Sequence, residues 1–76
     1  MPTKQLKILS DHLKKFPDDE DALIERGRLF WSLDKRSEAI NDYLAAQRIN
    51  PGGKASQLLK ATYEILNFYH KDLYNP

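Results

Sequence analysis

Residues 20–53 read EDALIERGRLFWSLDKRSEAINDYLAAQRINPGG, and this stretch decides the fold. Apolar and small residues recur in it at steps of three and four, the spacing that places side chains on one face of an α-helix. The pattern stops at the polar residues 34–37 and again at 50–53, where Pro51 cannot continue a helix and two glycines disfavour one. The stretch therefore predicts two helices, over residues 19–33 and 37–49, joined by a short turn.

Two more helices are predicted on either side, over residues 3–16 and 54–71. Each has an apolar stripe at helical spacing: Leu6, Leu9, Leu13 and Phe16 in the first helix, and Leu58, Thr62, Ile65, Leu66 and Tyr69 in the last. Valine is absent and leucine occurs eleven times, which favours helices over strands. Connections of three to five residues force neighbouring helices to run antiparallel. The expected fold class is all-α, built from antiparallel helical hairpins.

The helix starts are also marked in the sequence. Asp18, or a neighbour in its acidic run, is expected to accept the free amide hydrogens of the second helix. Asp34 or Ser37 is expected to do the same for the third helix. Gly27 lies on the inward stripe of the second helix and is small enough to allow a close helix approach.

A repeat is visible in the spacing of two prolines. Pro17 and Pro51 are 34 residues apart, and each follows a predicted helix. Seven positions of residues 20–53 agree in spacing and residue type with one known pattern: Leu23, Gly27, Phe30, Ala39, Tyr43, Ala46 and Pro51. The stretch resembles a tetratricopeptide repeat. The resemblance implies a right-handed superhelical array, here of about four helices.

The flanking segments resemble parts of further repeats, so residues 1–76 are expected to form a single domain. Residues 3–17 look like the second helix of a preceding repeat, residues 54–71 like the first helix of a following repeat or a capping helix, and residues 72–76 like a tail. One extra residue in the Gly52-Gly53 turn places Leu58, Ala61, Thr62 and Ile65 inward. Arg26 stands where the repeat usually has an apolar residue, so either its stem packs while its charge reaches water or that corner is loose.

The resemblance also implies a binding surface. First helices of successive tetratricopeptide repeats line a concave face that binds protein partners. Carried over residue by residue, that face comprises Asp21, Ile24, Arg28, Trp31, Leu59, Tyr63 and Leu66. The expected function is a non-enzymatic interaction module or scaffold that binds a peptide or a helix there. The alternative is that these side chains are buried by the tail of the same chain. A clamp for a peptide carboxylate is not expected, since the surface offers Glu25 and Arg28 but no Asn.

The C-terminal residues 67–76 are rich in aromatic side chains and resemble the endings of short stand-alone bacterial tetratricopeptide proteins. They are expected either to fold back on the last helix or to dock on a second copy, which would make a homodimer the alternative function. Residues 18–25 carry five acids between two basic stretches. This segregation of charge invites head-to-tail contact between copies.

Other functions find little support in the sequence. No cysteine is present, and His12 and His70 stand apart, so neither a metal site nor a cofactor is expected. A half-buried structural role is expected for His12. No nucleophile or acid–base pair is recognisable, which argues against an enzyme. Charges cancel to +1 and the apolar runs are short, so neither nucleic acid nor a membrane is an expected partner. The absence of a secretion signal and of cysteine predicts a cytoplasmic protein.

Overall fold

The computed structural model describes the backbone of residues 2–74 and the side chains of residues 3–67. Four helices are present: α1 (Pro2–Lys15), α2 (Glu20–Ser32), α3 (Arg36–Ile49) and α4 (Lys54–Tyr74). No strand occurs within residues 2–74, so the fold is all-α, as the composition predicts. The helix bounds agree with the predicted ranges except at the end of α4. This helix runs through residues 72–74, where the sequence predicts a tail.

The helices pack mainly against their neighbours in the chain, α1 on α2, α2 on α3, and α3 on α4. The result is a slab whose extents are 43 × 29 × 15 Å. Its interior is shallow, because the three side chains with zero exposure are alanines, at Ala39, Ala46 and Ala55. Six buried residues, drawn from all four helices, form one cluster: Leu13, Ala22, Leu23, Ile24, Ala46 and Ala55. A second cluster joins Ala39, Tyr43 and Leu59.

The seven positions of the repeat pattern lie mostly at helix interfaces. Leu23, Gly27, Ala39, Tyr43 and Ala46 are buried, Phe30 is half-buried, and Pro51 is exposed in the turn before α4. Gly27 provides the close approach that the sequence predicts. A Cβ atom there would lie 2.5 Å from Cε1 of Tyr43, well inside any normal contact. Burial of the Tyr43 ring raises the pKa of its hydroxyl.

Arg26 makes an ion pair that the sequence did not predict. Its Nε and one terminal nitrogen donate to the two carboxylate oxygens of Asp42, at 2.8 and 2.7 Å. Asp42 is 5% exposed, so the guanidinium is paired with a buried carboxylate, while 23% of the Arg26 side chain remains exposed. Hydrogen bonding to Asp42 raises the pKa of Arg26. The α2–α3 interface is therefore fastened by a bidentate ion pair at a place where the repeat usually has an apolar contact.

The N-cap residue of α2 agrees with the prediction, whereas the N-cap residue of α3 does not. Asp19 is the N-cap of α2, and its Oδ1 accepts from the amide of Ala22 at 3.2 Å. The N-cap of α3 is Lys35, which makes no side-chain capping bond, so the expected caps at Asp34 and Ser37 are wrong. Asp34 instead adopts a φ of 63° in the turn that ends α2.

The inward face of α4 is also shifted from the prediction. Thr62 is buried and Leu58 is half-buried as expected, but Ala61 and Ile65 are exposed. The buried face instead runs through Ala55 and Leu59. The physical reason is that α3 covers one side of α4, while no other helix of residues 2–74 covers the side on which Ala61 and Ile65 lie. Phe16, which belongs to the apolar stripe predicted for the first helix, is exposed just after the end of α1. None of the helices described has the length and apolar character needed to cross a membrane.

Candidate partner-binding cleft

A cleft lies between α2 and the start of α4. Neighbouring helices alternate in direction, so α4 begins level with the beginning of α2. The Asn50 side chain accordingly reaches Glu20, donating to its carboxylate at 3.4 Å. The cleft, of about 350 Å³, is lined by Asp21, Ile24, Glu25, Arg28 and Lys54. We call it the α2/α4 cleft. Three of the residues that the sequence assigned to a concave binding face thus line one cleft.

Charged groups of both signs line the α2/α4 cleft. Asp21 and Glu25 supply two carboxylates, and Arg28 and Lys54 supply two cations. All four residues are exposed, so their charged ends are available to a ligand. Such a lining suits a peptide segment that carries both acidic and basic side chains, because each charge finds an opposite partner nearby.

Trp31 lies one turn beyond Arg28 on α2 and is half-buried. Its ring packs against the cluster of Ala39, Tyr43 and Leu59. The guanidinium of Arg36 lies over the ring at 5.0 Å from its centroid, a distance typical of a cation–π contact. Trp31 therefore covers the core with part of its surface and leaves the remainder accessible.

The apolar residues of the predicted binding face on α2 and α4, apart from Trp31, divide into two groups by their exposure. Ile24 and Leu59 are 6% and 3% exposed, so in this chain they serve mainly as core. Tyr63 is 44% exposed and Leu66 is half-buried. Both lie on α4, one and two turns beyond Leu59. The accessible part of the predicted binding face is consequently more polar than the sequence suggested.

Two cations near this face were missed by the sequence reasoning. Lys54 directly follows the Gly52-Gly53 turn, and the 35-residue offset adopted for this helix places it level with Asp19, next to the start of α2, so the repeat itself could have located it. Arg36 lies at the first residue of α3, and only the turn geometry at Asp34 brings it over Trp31. No comparable signal in the sequence points to that contact.

No family model, curated protein or solved structure matches this chain. The resemblance to tetratricopeptide repeats accordingly rests on the seven positions of the sequence pattern and remains a prediction.

A second pocket, of about 490 Å³, lies at the α1–α2 turn and includes His12, Phe16 and Asp19. Nε2 of His12 lies 2.6 Å from Oδ2 of Asp19, and the rings of His12 and Phe16 are 5.1 Å apart. The hydrogen bond to His12 lowers the pKa of Asp19. His12 is half-buried, as predicted, and it ties α1 to the cap of α2. Within the described part of the chain, no three His, Cys, Asp or Glu side chains are grouped to bind a metal.

Proposed function

We propose that this chain is a non-enzymatic interaction module of tetratricopeptide type, which binds a peptide or a helix in the α2/α4 cleft. The observation that carries the proposal is the convergence of Asp21, Ile24 and Arg28 with Lys54 in one open cleft. The first three were assigned to a binding face from the repeat pattern alone. Trp31 and Tyr63 extend the same face with aromatic surface, and Trp is enriched among residues that dominate interfaces.

The proposed architecture and cellular location follow from the same resemblance to tetratricopeptide repeats. The four helices would form a short piece of a right-handed superhelix of the bacterial stand-alone type, acting as a scaffold in the cytoplasm. A lack of cysteine suits a reducing compartment. The groups whose pKa values are shifted are engaged in structure: Asp19 caps α2, Arg26 pairs with Asp42, and Tyr43 packs against Gly27. Binding rather than catalysis is therefore the function that the side chains support.

Peptide selection from a random display library against the immobilised chain tests this proposal. We expect the selected peptides to combine acidic and basic residues with an apolar anchor. Calorimetry on synthetic copies should show binding weakened about 5- to 30-fold by Trp31→Ala, the range for loss of an interface anchor worth about 1–2 kcal/mol. Because Trp31 also contacts the core, Arg28→Glu provides a second variant at a fully accessible position, with an expected loss of similar size.

The matched control is Phe16→Ala, which removes an exposed aromatic side chain just after the end of α1, outside the α2/α4 cleft. We expect it to leave peptide affinity unchanged. Peptides that bind the two cleft variants as tightly as the original chain would show that the binding site lies elsewhere.

A further inference from the structure

A second groove, between α1 and α2, has no occupant among the described residues. Two adjoining cavities of about 450 and 440 Å³ share the residues Ile8, Leu9 and Glu25, so they form one continuous depression. Ala22 and Leu29 of α2 complete its apolar floor. Ile8 is 61% exposed at its rim. We call this depression the α1/α2 groove. An exposed isoleucine above an apolar floor is costly to leave in water.

A helix face without a partner lies at the other end of the slab, on α4. This helix has 21 residues, against 13 or 14 in the other three, and it packs mainly on α3. Ile65 is 43% exposed, and Ala61 on the same side is exposed as well. The sequence periodicity predicted both to face inward. Residues predicted to face inward lie here on a side of α4 that no other helix of residues 2–74 covers. This indicates that a helix of another molecule packs against that side.

The two open surfaces both expose apolar side chains and carry opposite net charges. The groove needs a helix with an apolar side, and α4 presents one. Around the α1/α2 groove the carboxylates of Asp19, Asp21 and Glu25 face the single guanidinium of Arg28, a net charge of −2 with His12 neutral. Over residues 54–67, α4 carries Lys54 and Lys60 against Glu64, a net charge of +1. Opposite charges steer such surfaces together and fix their register.

We propose that copies of this chain associate head to tail, with α4 of one copy seated in the α1/α2 groove of the next. The interface is heterologous, because the two contributing surfaces are different. Each copy therefore keeps one free groove and one free α4, and the assembly grows beyond a dimer or closes into a ring. Asp21, Glu25 and Arg28 line both the α1/α2 groove and the α2/α4 cleft, so assembly and peptide binding are expected to compete.

Light scattering on two single variants and on their mixture tests the proposal. Ile8→Glu places a charge in the groove, and Ile65→Glu places one on the uncovered side of α4. Both positions are exposed, so helicity measured by circular dichroism should be unchanged. The original chain is expected to form concentration-dependent multimers, and each variant alone should remain a monomer. An equimolar mixture should give a one-to-one heterodimer at twice the 8.9 kDa chain mass, since each variant retains the surface that the other has lost.

Ile49→Glu is the matched control, since Ile49 is an exposed isoleucine on α3 that lines neither groove. The Ile49→Glu variant should form the same concentration-dependent multimers as the original chain. Three outcomes would overturn the proposal: an original chain that stays monomeric at all concentrations, a mixture that yields no heterodimer, or an Ile8→Glu variant that still associates. The last would indicate a symmetric α4–α4 dimer. Monomeric Ile65→Glu also serves to measure peptide capture, so failure of assembly and failure of the α2/α4 cleft are distinguished.

Discussion

At the scale of single residues, the contact between Arg26 and Asp42 fastens α2 to α3. Both carboxylate oxygens of Asp42 accept a guanidinium hydrogen, and Ser10 of α1 lies 3.4 Å from the second terminal nitrogen of the same side chain. Arg26 also lies over the ring of Phe30, at 5.7 Å from its centroid. A charged side chain at an apolar position is thus accommodated by a buried carboxylate and an aromatic neighbour.

We expect Asp42→Asn to lower the free energy of unfolding by about 2 kcal/mol, the range for hydrogen bonds to charged groups. Thermal unfolding should show this as a fall in Tm of roughly 8–16 °C. The double variant Arg26→Leu, Asp42→Leu should recover part of the loss, because no buried charge is then left unpaired. Asp34→Asn is the control, since the Asp34–Arg36 pair is exposed and should contribute less than about 0.5 kcal/mol. Equal effects of Asp42→Asn and Asp34→Asn would contradict this account.

Gly27→Ala should destabilise the fold although alanine is the better helix former. The added Cβ would lie 2.5 Å from Cε1 and 2.9 Å from Cδ1 of Tyr43, whose ring is buried. Overpacking of this kind costs about 1–3 kcal/mol, against a gain of about 1 kcal/mol in helix propensity. We expect a net loss of up to about 2 kcal/mol in chemical denaturation. Gly52→Ala should cause no loss, because nothing lies within 4 Å of its Cβ position. A stabilising Gly27→Ala would show that the ring moves freely.

At the scale of helices and turns, Asp34 in the turn between α2 and α3 determines how α2 ends. The amide of Lys35 donates to the carbonyl oxygen of Phe30 at 2.8 Å, and the amide of Asp34 donates to that of Trp31 at 3.0 Å. This pattern, with φ of 63° at Asp34, is a Schellman-type end to α2. Asp34 is therefore used to end α2, which leaves the start of α3 without a side-chain cap.

Lys35→Ser should supply the missing cap of α3. A serine there would be three residues before Glu38, the arrangement of a capping box. The expected gain is about 1 kcal/mol, or an increase in Tm of roughly 4–8 °C. Lys35→Ala removes the same charge without providing an acceptor, so it should give little or none of this gain. Equal Tm values for the two variants would contradict the capping argument.

At the scale of the whole molecule, the helices form a thin slab with a shallow core. The slab is 15 Å in its shortest extent, and among the described residues no large side chain is fully buried. The two middle helices pack on a neighbour on either side, whereas α1 and α4 pack mainly on one. Stability in such an array is the sum of local contacts between neighbours, so it differs along the chain.

Amide hydrogen exchange should reveal that difference. We expect the slowest exchange in α2 and α3, and faster exchange in α1 and in the second half of α4, since these open without unfolding the middle pair. Measurement by mass spectrometry on the Ile65→Glu variant avoids protection caused by association. Uniform protection across all four helices would show that the chain unfolds as one cooperative unit.

The sequence by itself determined the elements of this protein. Helical periodicity and three turns marked by Pro, Gly and polar residues were enough to predict the four helices, and a glycine on the inward stripe of α2 predicted the close approach at Gly27. These features depend on residues near one another in the chain, so they can be read locally. The resemblance to a tetratricopeptide repeat, and not the local pattern, assigned Asp21, Ile24 and Arg28 to one binding face.

Only the tertiary structure decided how those helices use their surfaces. Asp42 as the partner of Arg26, Lys54 in the cleft, and Arg36 over Trp31 are contacts between different helices, and charge and periodicity do not specify them. Burial of Ile24 and Leu59 and exposure of Ile65 were decided in the same way. A helix stripe shows which side of a helix is apolar, but which neighbour covers that side depends on the packing of the whole array.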